Sequence, residues 1–176
     1  QGNYSGSYTF ANGWTIAPKS IENVTIGAID DQPYTGKQIT PTPEVNDGEK
    51  ELTSGTDFTY SYSNNQYVGT TTATVTVTGK GNYQGAANKG FAITAVEDPA
   101  VITATANVTK GGNTLDLNSL VTGAKGTVSF AISGEANGCS ISGGVLTSGD
   151  TTGSVTVTVT VASKDENNDG IAEYTD

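Results

Sequence analysis

From Ser154 to Val161 valine alternates with a hydroxyl residue without a break: Val155, Val157, Val159 and Val161 take one phase, and Ser154, Thr156, Thr158 and Thr160 the other. A period of two places all four valines on one face of an extended strand and the hydroxyls on the opposite face. β-Branched side chains suit that pleated, half-wet surface and are less at ease in a helix. The same period returns along the chain in Val24, Ile26 and Ala28; Phe58, Tyr60 and Tyr62; Ala73, Val75 and Val77; Ile102, Ala104, Ala106 and Val108; and Val128, Phe130 and Ile132. No segment carries a convincing 3.6-residue apolar stripe, and Met, His and Arg are absent while glycine occurs 23 times. Only 34% of the residues are apolar, which fits thin layers with one buried face better than one thick core. The sequence predicts an all-β protein.

A repeat sets the predicted domain plan. Gly2-Asn3-Tyr4-Ser5-Gly6, followed by Phe10 and Trp14-Thr15-Ile16, recurs 79 residues later as Gly81-Asn82-Tyr83-Gln84-Gly85, followed by Phe91-Ala92-Ile93. That offset is the size of a small β domain. Residues 1–16 therefore read as the C-terminal hairpin of a preceding repeat, residues 17–96 as a first module and residues 97–176 as a second. Turn chemistry is expected at Gln32-Pro33-Tyr34-Thr35-Gly36, Asn64-Asn65, Gly79-Lys80-Gly81-Asn82 and Ser142-Gly143-Gly144-Val145. Thr40-Pro41-Thr42-Pro43 cannot donate a full ladder and belongs at an edge. Val96-Glu97-Asp98-Pro99 is expected to be a short, acidic, proline-stiffened linker.

Charge and residue types exclude several functions. Eight scattered lysines and a net charge of −10 give no phosphate-binding surface, so nucleic acid is not an expected partner. No run of about 18 apolar residues exists, so membrane insertion is not expected either. Without histidine, Ser-His-Asp and Cys-His catalysis and His-bearing metal triads have no parts. The single Cys139 permits no internal disulfide and reads as a small core residue of a strand. Asp150-Thr151-Thr152-Gly153 reads as a turn, and Asp30-Asp31 and Glu49/Glu51 as solvated loop charge. No enzyme is expected, and no cofactor is required.

Two groups of residues remain as binding candidates. Asp165-Glu166-Asn167-Asn168-Asp169-Gly170 matches the D-x-[DN]-x-[DN]-G opening of a calcium loop, with Asp176 at its twelfth position. In that chemistry Asp165, Asn167 and Asp169 supply side-chain oxygens, Gly170 the sharp turn, Ile171 a carbonyl, and Asp176 closes the shell. The competing reading is a hairpin turn built on Asn168-Asp169-Gly170. Among the aromatics, Trp14, Tyr8 and Tyr67 offer flat faces on which a sugar could stack. Tyr60 and Tyr62 share the phase of Phe58, and Tyr4 and Tyr83 occupy equivalent repeat positions, so these four read as structural.

Both modules resemble the bacterial Ig-like tandem repeats of Firmicutes-type cell-surface proteins. In the first module the resemblance rests on Tyr34-Thr35-Gly36-Lys37-Gln38-Ile39-Thr40-Pro41, Leu52-Thr53-Ser54-Gly55-Thr56-Asp57-Phe58, Tyr62-Ser63-Asn64-Asn65 and the run Val77 to Gly85. In the second it rests on Val108 to Gly112, Ala131 to Cys139 and the Val/Thr strand. It implies two tandem Ig-like β-sandwich modules; the second departs from the family pattern in ending at Asp176, where such repeats usually continue into a final strand. It further implies an extracellular place at the bacterial surface or cell wall, with neighbouring Ig-like repeats of the same chain as partners. The function so implied is a structural spacer or stalk. The alternative is an adhesin or carbohydrate-binding module that recognises glycans or host matrix protein. The resemblance carries no catalytic residues.

Overall fold

The computed structural model describes residues 16–69, 72–103 and 105–176. The protein is all-β: strands form 41% of it, and among the described residues the helical share of 3% lies in the 3-10 turn Leu117–Leu120. Among the described residues the strands form small sheets of two or three members, none closed into a barrel. Phe58–Ser63 and Ala73–Gly79 follow the alternation in the sequence. Phe58–Ser63, Ala73–Gly79 and Ala86–Phe91 lie side by side with Ala73–Gly79 in the centre.

The Val/Thr segment forms the strand Thr156–Val161, antiparallel to Val128–Ser133. Its register sets Val157, Val159 and Val161 opposite Ile132, Phe130 and Val128, so apolar side chains face one another across the ladder. These side chains are half-buried, with the hydroxyl phase turned to solvent. Ser140–Ser142 and Val145–Thr147 form the expected hairpin, with positive φ at both Gly143 and Gly144 (57° and 78°).

The chain separates into two compact units, each assembled from discontinuous segments. One comprises the described residues of 16–28, 42–61 and 75–89. Its core is Ile21, Val45, Leu52, Phe58, Val77 and Tyr83, with Phe58 and Tyr60 packed edge to face at 4.9 Å. The Tyr60 hydroxyl donates to the Pro43 carbonyl. The other unit comprises 29–41, 62–74 and 90–176, with a cluster of Ile39, Ala73 and Phe91. There the Tyr62 hydroxyl donates to the Pro41 carbonyl at 2.9 Å. The Thr40-Pro41-Thr42-Pro43 segment is thus outside any strand, and its proline carbonyls take hydrogen bonds from tyrosine side chains in place of ladder partners.

Several local expectations are corrected. Among the described residues of the alternation from Ile102 to Val108, only Ile102 lies in a strand, Val101–Ile102; an alanine such as Ala106 offers little apolar surface to bury. Cys139 sits just before the strand Ser140–Ser142, half-buried, its amide donating to the Ala136 carbonyl at 2.8 Å. Gln32–Pro33, read as turn chemistry, is a strand paired in parallel with Ile93–Thr94. Val96–Glu97, read as linker, is a strand paired in parallel with Tyr174–Thr175. The next residue, Asp98, is fixed on both sides: its amide donates to Thr175 at 2.9 Å, and its carboxylate accepts the amides of Ala100, Lys125 and Gly126 at 2.8–3.0 Å.

Candidate functional site: an acidic loop and a tyrosine-walled cleft

The acidic motif forms a loop closed at its base. Lys164 and Tyr174 bridge across it, with the Lys164 amide donating to Tyr174 and the Glu173 amide donating to Lys164, both at 2.9 Å. Inside the loop the acidic side chains receive the loop's own amides. The Asp165 carboxylate accepts from Asn168 at 2.6 Å and Gly170 at 2.7 Å, and the Asn167 carbonyl oxygen accepts from Asp169 at 3.3 Å. The Asp169 carboxylate accepts from Ile171 at 2.9 Å and from the Asn167 side-chain amide at 3.1 Å. Asn168 and Gly170 take positive φ, 58° and 92°, which asparagine and glycine tolerate. Partial desolvation pushes the Asp165 carboxyl up, and the amide bonds from Gly170 and Asn168 more than offset it, leaving it below the usual carboxylate range.

Asp165, Asn167 and Asp169 are therefore brought together, with the Ile171 amide tied to Asp169. Asp176 is not among them: its carboxylate accepts from the Ser163 hydroxyl at 3.2 Å. Among the described residues no three His, Cys, Asp or Glu side chains stand close enough to hold a metal. A cation in this loop would rely on the Asn167 side chain and backbone carbonyls as much as on carboxylates.

Two residues that matter here escaped sequence reasoning. Tyr34 lay in a stretch read as turn, yet it is 5% exposed. Its hydroxyl donates to Glu166 Oε2 at 2.5 Å, and its ring meets the Tyr174 ring edge-on at 5.5 Å. Burial, reinforced by the Glu166 carboxylate, pushes the Tyr34 hydroxyl well above its usual range. Glu173 is fully buried; its Oε2 accepts the Glu166 amide at 2.6 Å and its Oε1 has no hydrogen-bond partner. One signal could have singled it out: Glu173 is the ninth residue of the loop, a position that also serves calcium.

Beside the loop lies a concave cleft of about 340 Å³, lined by Gln38, Asn64, Gln66, Tyr67, Asn167 and Asp169 among others. Tyr67 is 36% exposed and stacks on Tyr34, with ring centroids 6.3 Å apart and planes 26° apart. The Asn64-Asn65 turn holds its shape through positive φ at Asn64, 53°, and through Asn65. The Asn65 side-chain amide donates to Ile39 at 2.9 Å, and its carbonyl accepts the Ile39 amide at 2.7 Å. Of the three aromatic candidates, Tyr67 borders this cleft, while Tyr8 and Trp14 lie outside the described residues. The sequence matches no protein-family model, no curated protein and no solved structure.

Proposed function

We propose that the chain is a structural spacer of a bacterial cell-surface or secreted repeat protein, built of two tandem Ig-like β-sandwich modules. The observation that carries this reading is the clasp at residues 96–98. A segment that reads as a linker in the sequence would be solvated and mobile. Here Val96–Glu97 instead completes a two-stranded ladder with Tyr174–Thr175, and the Asp98 carboxylate gathers three amides. The Val96 and Asp98 amides donate to Glu173 and Thr175 and the Asp98 carboxylate is held by three amides, so this stretch has lost its rotational freedom, and a stalk that keeps its length under load needs that freedom removed. The all-β framework and the absence of histidine agree with a passive role.

The second reading, a carbohydrate-binding module, is favoured by the cleft. Side-chain amides of Gln38, Asn64, Gln66 and Asn167, the Asp169 carboxylate and the flat face of Tyr67 are the donors, acceptors and platform that a sugar uses. The test is binding of the purified chain to an array of glycans and matrix proteins with calcium present. Silence across the array is the outcome expected of a spacer. A saturable glycan hit lost in Tyr67→Ala overturns the spacer reading in favour of the cleft.

A further inference from the structure

We propose that the segment Asp165–Glu173 is a calcium site closed by Glu173 at the ninth position of the loop, with Asp176 taking no part. The observation that points to a ligand is the Glu173 carboxylate itself. It is wholly buried, one oxygen is satisfied by the Glu166 amide at the loop's second residue, and the other has no hydrogen-bond partner. Burying a carboxyl oxygen with no partner is costly unless another group, such as a cation, reaches it. No lysine supplies one: among the described residues the ion pair is Lys19 with Asp47, in the other compact unit. The bond from the Glu166 amide ties that carboxylate to the second residue of the loop.

The rest of the loop is chemically matched to that need. Asp165, Asn167 and Asp169 present hard oxygens, and each loop amide that binds a carboxylate oxygen leaves further lone pairs for a metal. Ile171 adds a carbonyl at the seventh position, and water completes a shell of six to eight oxygens. Three carboxylates, from Asp165, Asp169 and Glu173, outweigh the two charges of calcium by one, a balance a hard divalent cation tolerates. Glu166 and Asp176 are left outside the set because their carboxylates are turned to partners away from the loop's own amides, Glu166 to the Tyr34 hydroxyl and Asp176 to the Ser163 hydroxyl. Among the described residues no three acidic side chains stand close enough to hold a metal, so calcium binding requires the exposed loop to close onto Glu173. This inference is independent of whether the chain is a spacer or a glycan-binding module.

The experiment is calcium titration by calorimetry, with terbium luminescence excited through tyrosine as a second readout, since Tyr174 adjoins Glu173. The chain is compared with Glu173→Gln, Asp176→Asn and Asp165→Asn. Expected is saturable binding with Kd of about 10⁻⁴ to 10⁻³ M, the range of extracellular calcium modules. Glu173→Gln and Asp165→Asn each weaken it at least about tenfold, and Asp176→Asn leaves it unchanged. Asp165 lies in the loop and away from the core clusters, so its variant reports on binding even where Glu173→Gln perturbs folding. No saturable binding up to about 10 mM calcium, or a loss in Asp176→Asn that matches the loss in Glu173→Gln, overturns the proposal.

Discussion

Tyr83 explains in physical terms why a Gly-Asn-Tyr-x-Gly element is worth repeating. Its ring is 7% exposed inside the Ile21, Val45, Phe58 and Val77 cluster, and its hydroxyl donates to Asp47 at 3.0 Å. The glycines on either side, Gly81 and Gly85, take φ of +64° and +83°. A β-carbon there forces a left-handed conformation costing about 1–2 kcal/mol. The motif is therefore a buried anchor between two reversals of chain direction, and it was legible because each of its letters answers a separate steric demand. Tyr34 and Glu173 were not legible: a tyrosine after Gln-Pro and a glutamate in an acidic loop both look solvated until distant segments cover them. Removing only the Tyr83 hydroxyl, in Tyr83→Phe, is expected to lower stability by about 1 kcal/mol, because Asp47 keeps Lys19 at 2.7 Å. Gly85→Ala is expected to lower it by about 1–2 kcal/mol. Urea unfolding midpoints check both, and a Gly85→Ala midpoint equal to that of the parent would remove the steric account of the repeat.

Elements that depend on local pattern were readable, and elements that depend on partners were not. Phe58–Ser63, Ala73–Gly79 and Thr156–Val161 appear where the alternation places them, since a branched, period-two stretch has one comfortable state. The partner of Thr156–Val161 is Val128–Ser133, some twenty-five residues upstream, and nothing local announces that choice. The clasp at Val96–Glu97 is the clearest case. Its acidic and proline residues look like a linker, and only the parallel pairing with Tyr174–Thr175 makes it a strand. Asp98 is the residue on which that element depends. Partial desolvation pushes its carboxyl up, but the amides of Gly126, Lys125 and Ala100 bring it below the usual range, so the charged form is favoured in the folded state. Asp98→Ala leaves those amides to water and is expected to speed hydrogen exchange at Lys125 and Gly126 together. Exchange at Val77, in the core of the other compact unit, is expected to stay unchanged. Equal acceleration at Val77 would mean that Asp98 acts on global stability and is no local clasp.

For the whole molecule, the sequence established the all-β class and left the assembly of the compact units unannounced. Each unit joins segments far apart in the chain, and alternation carries no information about which segments join. Charge, by contrast, is a whole-molecule property readable from composition, and the structure adds its pH dependence. At a net charge of −10 the chain repels itself at neutral pH, and mild acid relieves that repulsion. Against this stand three carboxyls held below the usual range. Asp47 is held there by its bonds with Lys19 and Tyr83; at Asp98 and Asp165 backbone amides outweigh partial desolvation. A carboxyl with a depressed folded value binds its proton less tightly in the native state than in the unfolded chain. Its stabilisation is therefore fully present above the unfolded value, about 3.9, and is lost as pH falls through the lower folded value. The two effects act in different windows. Thermal unfolding is expected to shift slightly upward from neutral pH to about pH 5, then to fall below about pH 4. In Asp47→Asn/Asp98→Asn/Asp165→Asn the midpoint is expected to start lower at neutral pH and to lose less in acid. A parent midpoint that keeps rising below pH 4 would show that relief of repulsion outweighs the three sites together, and that their hydrogen bonds contribute little to holding the fold.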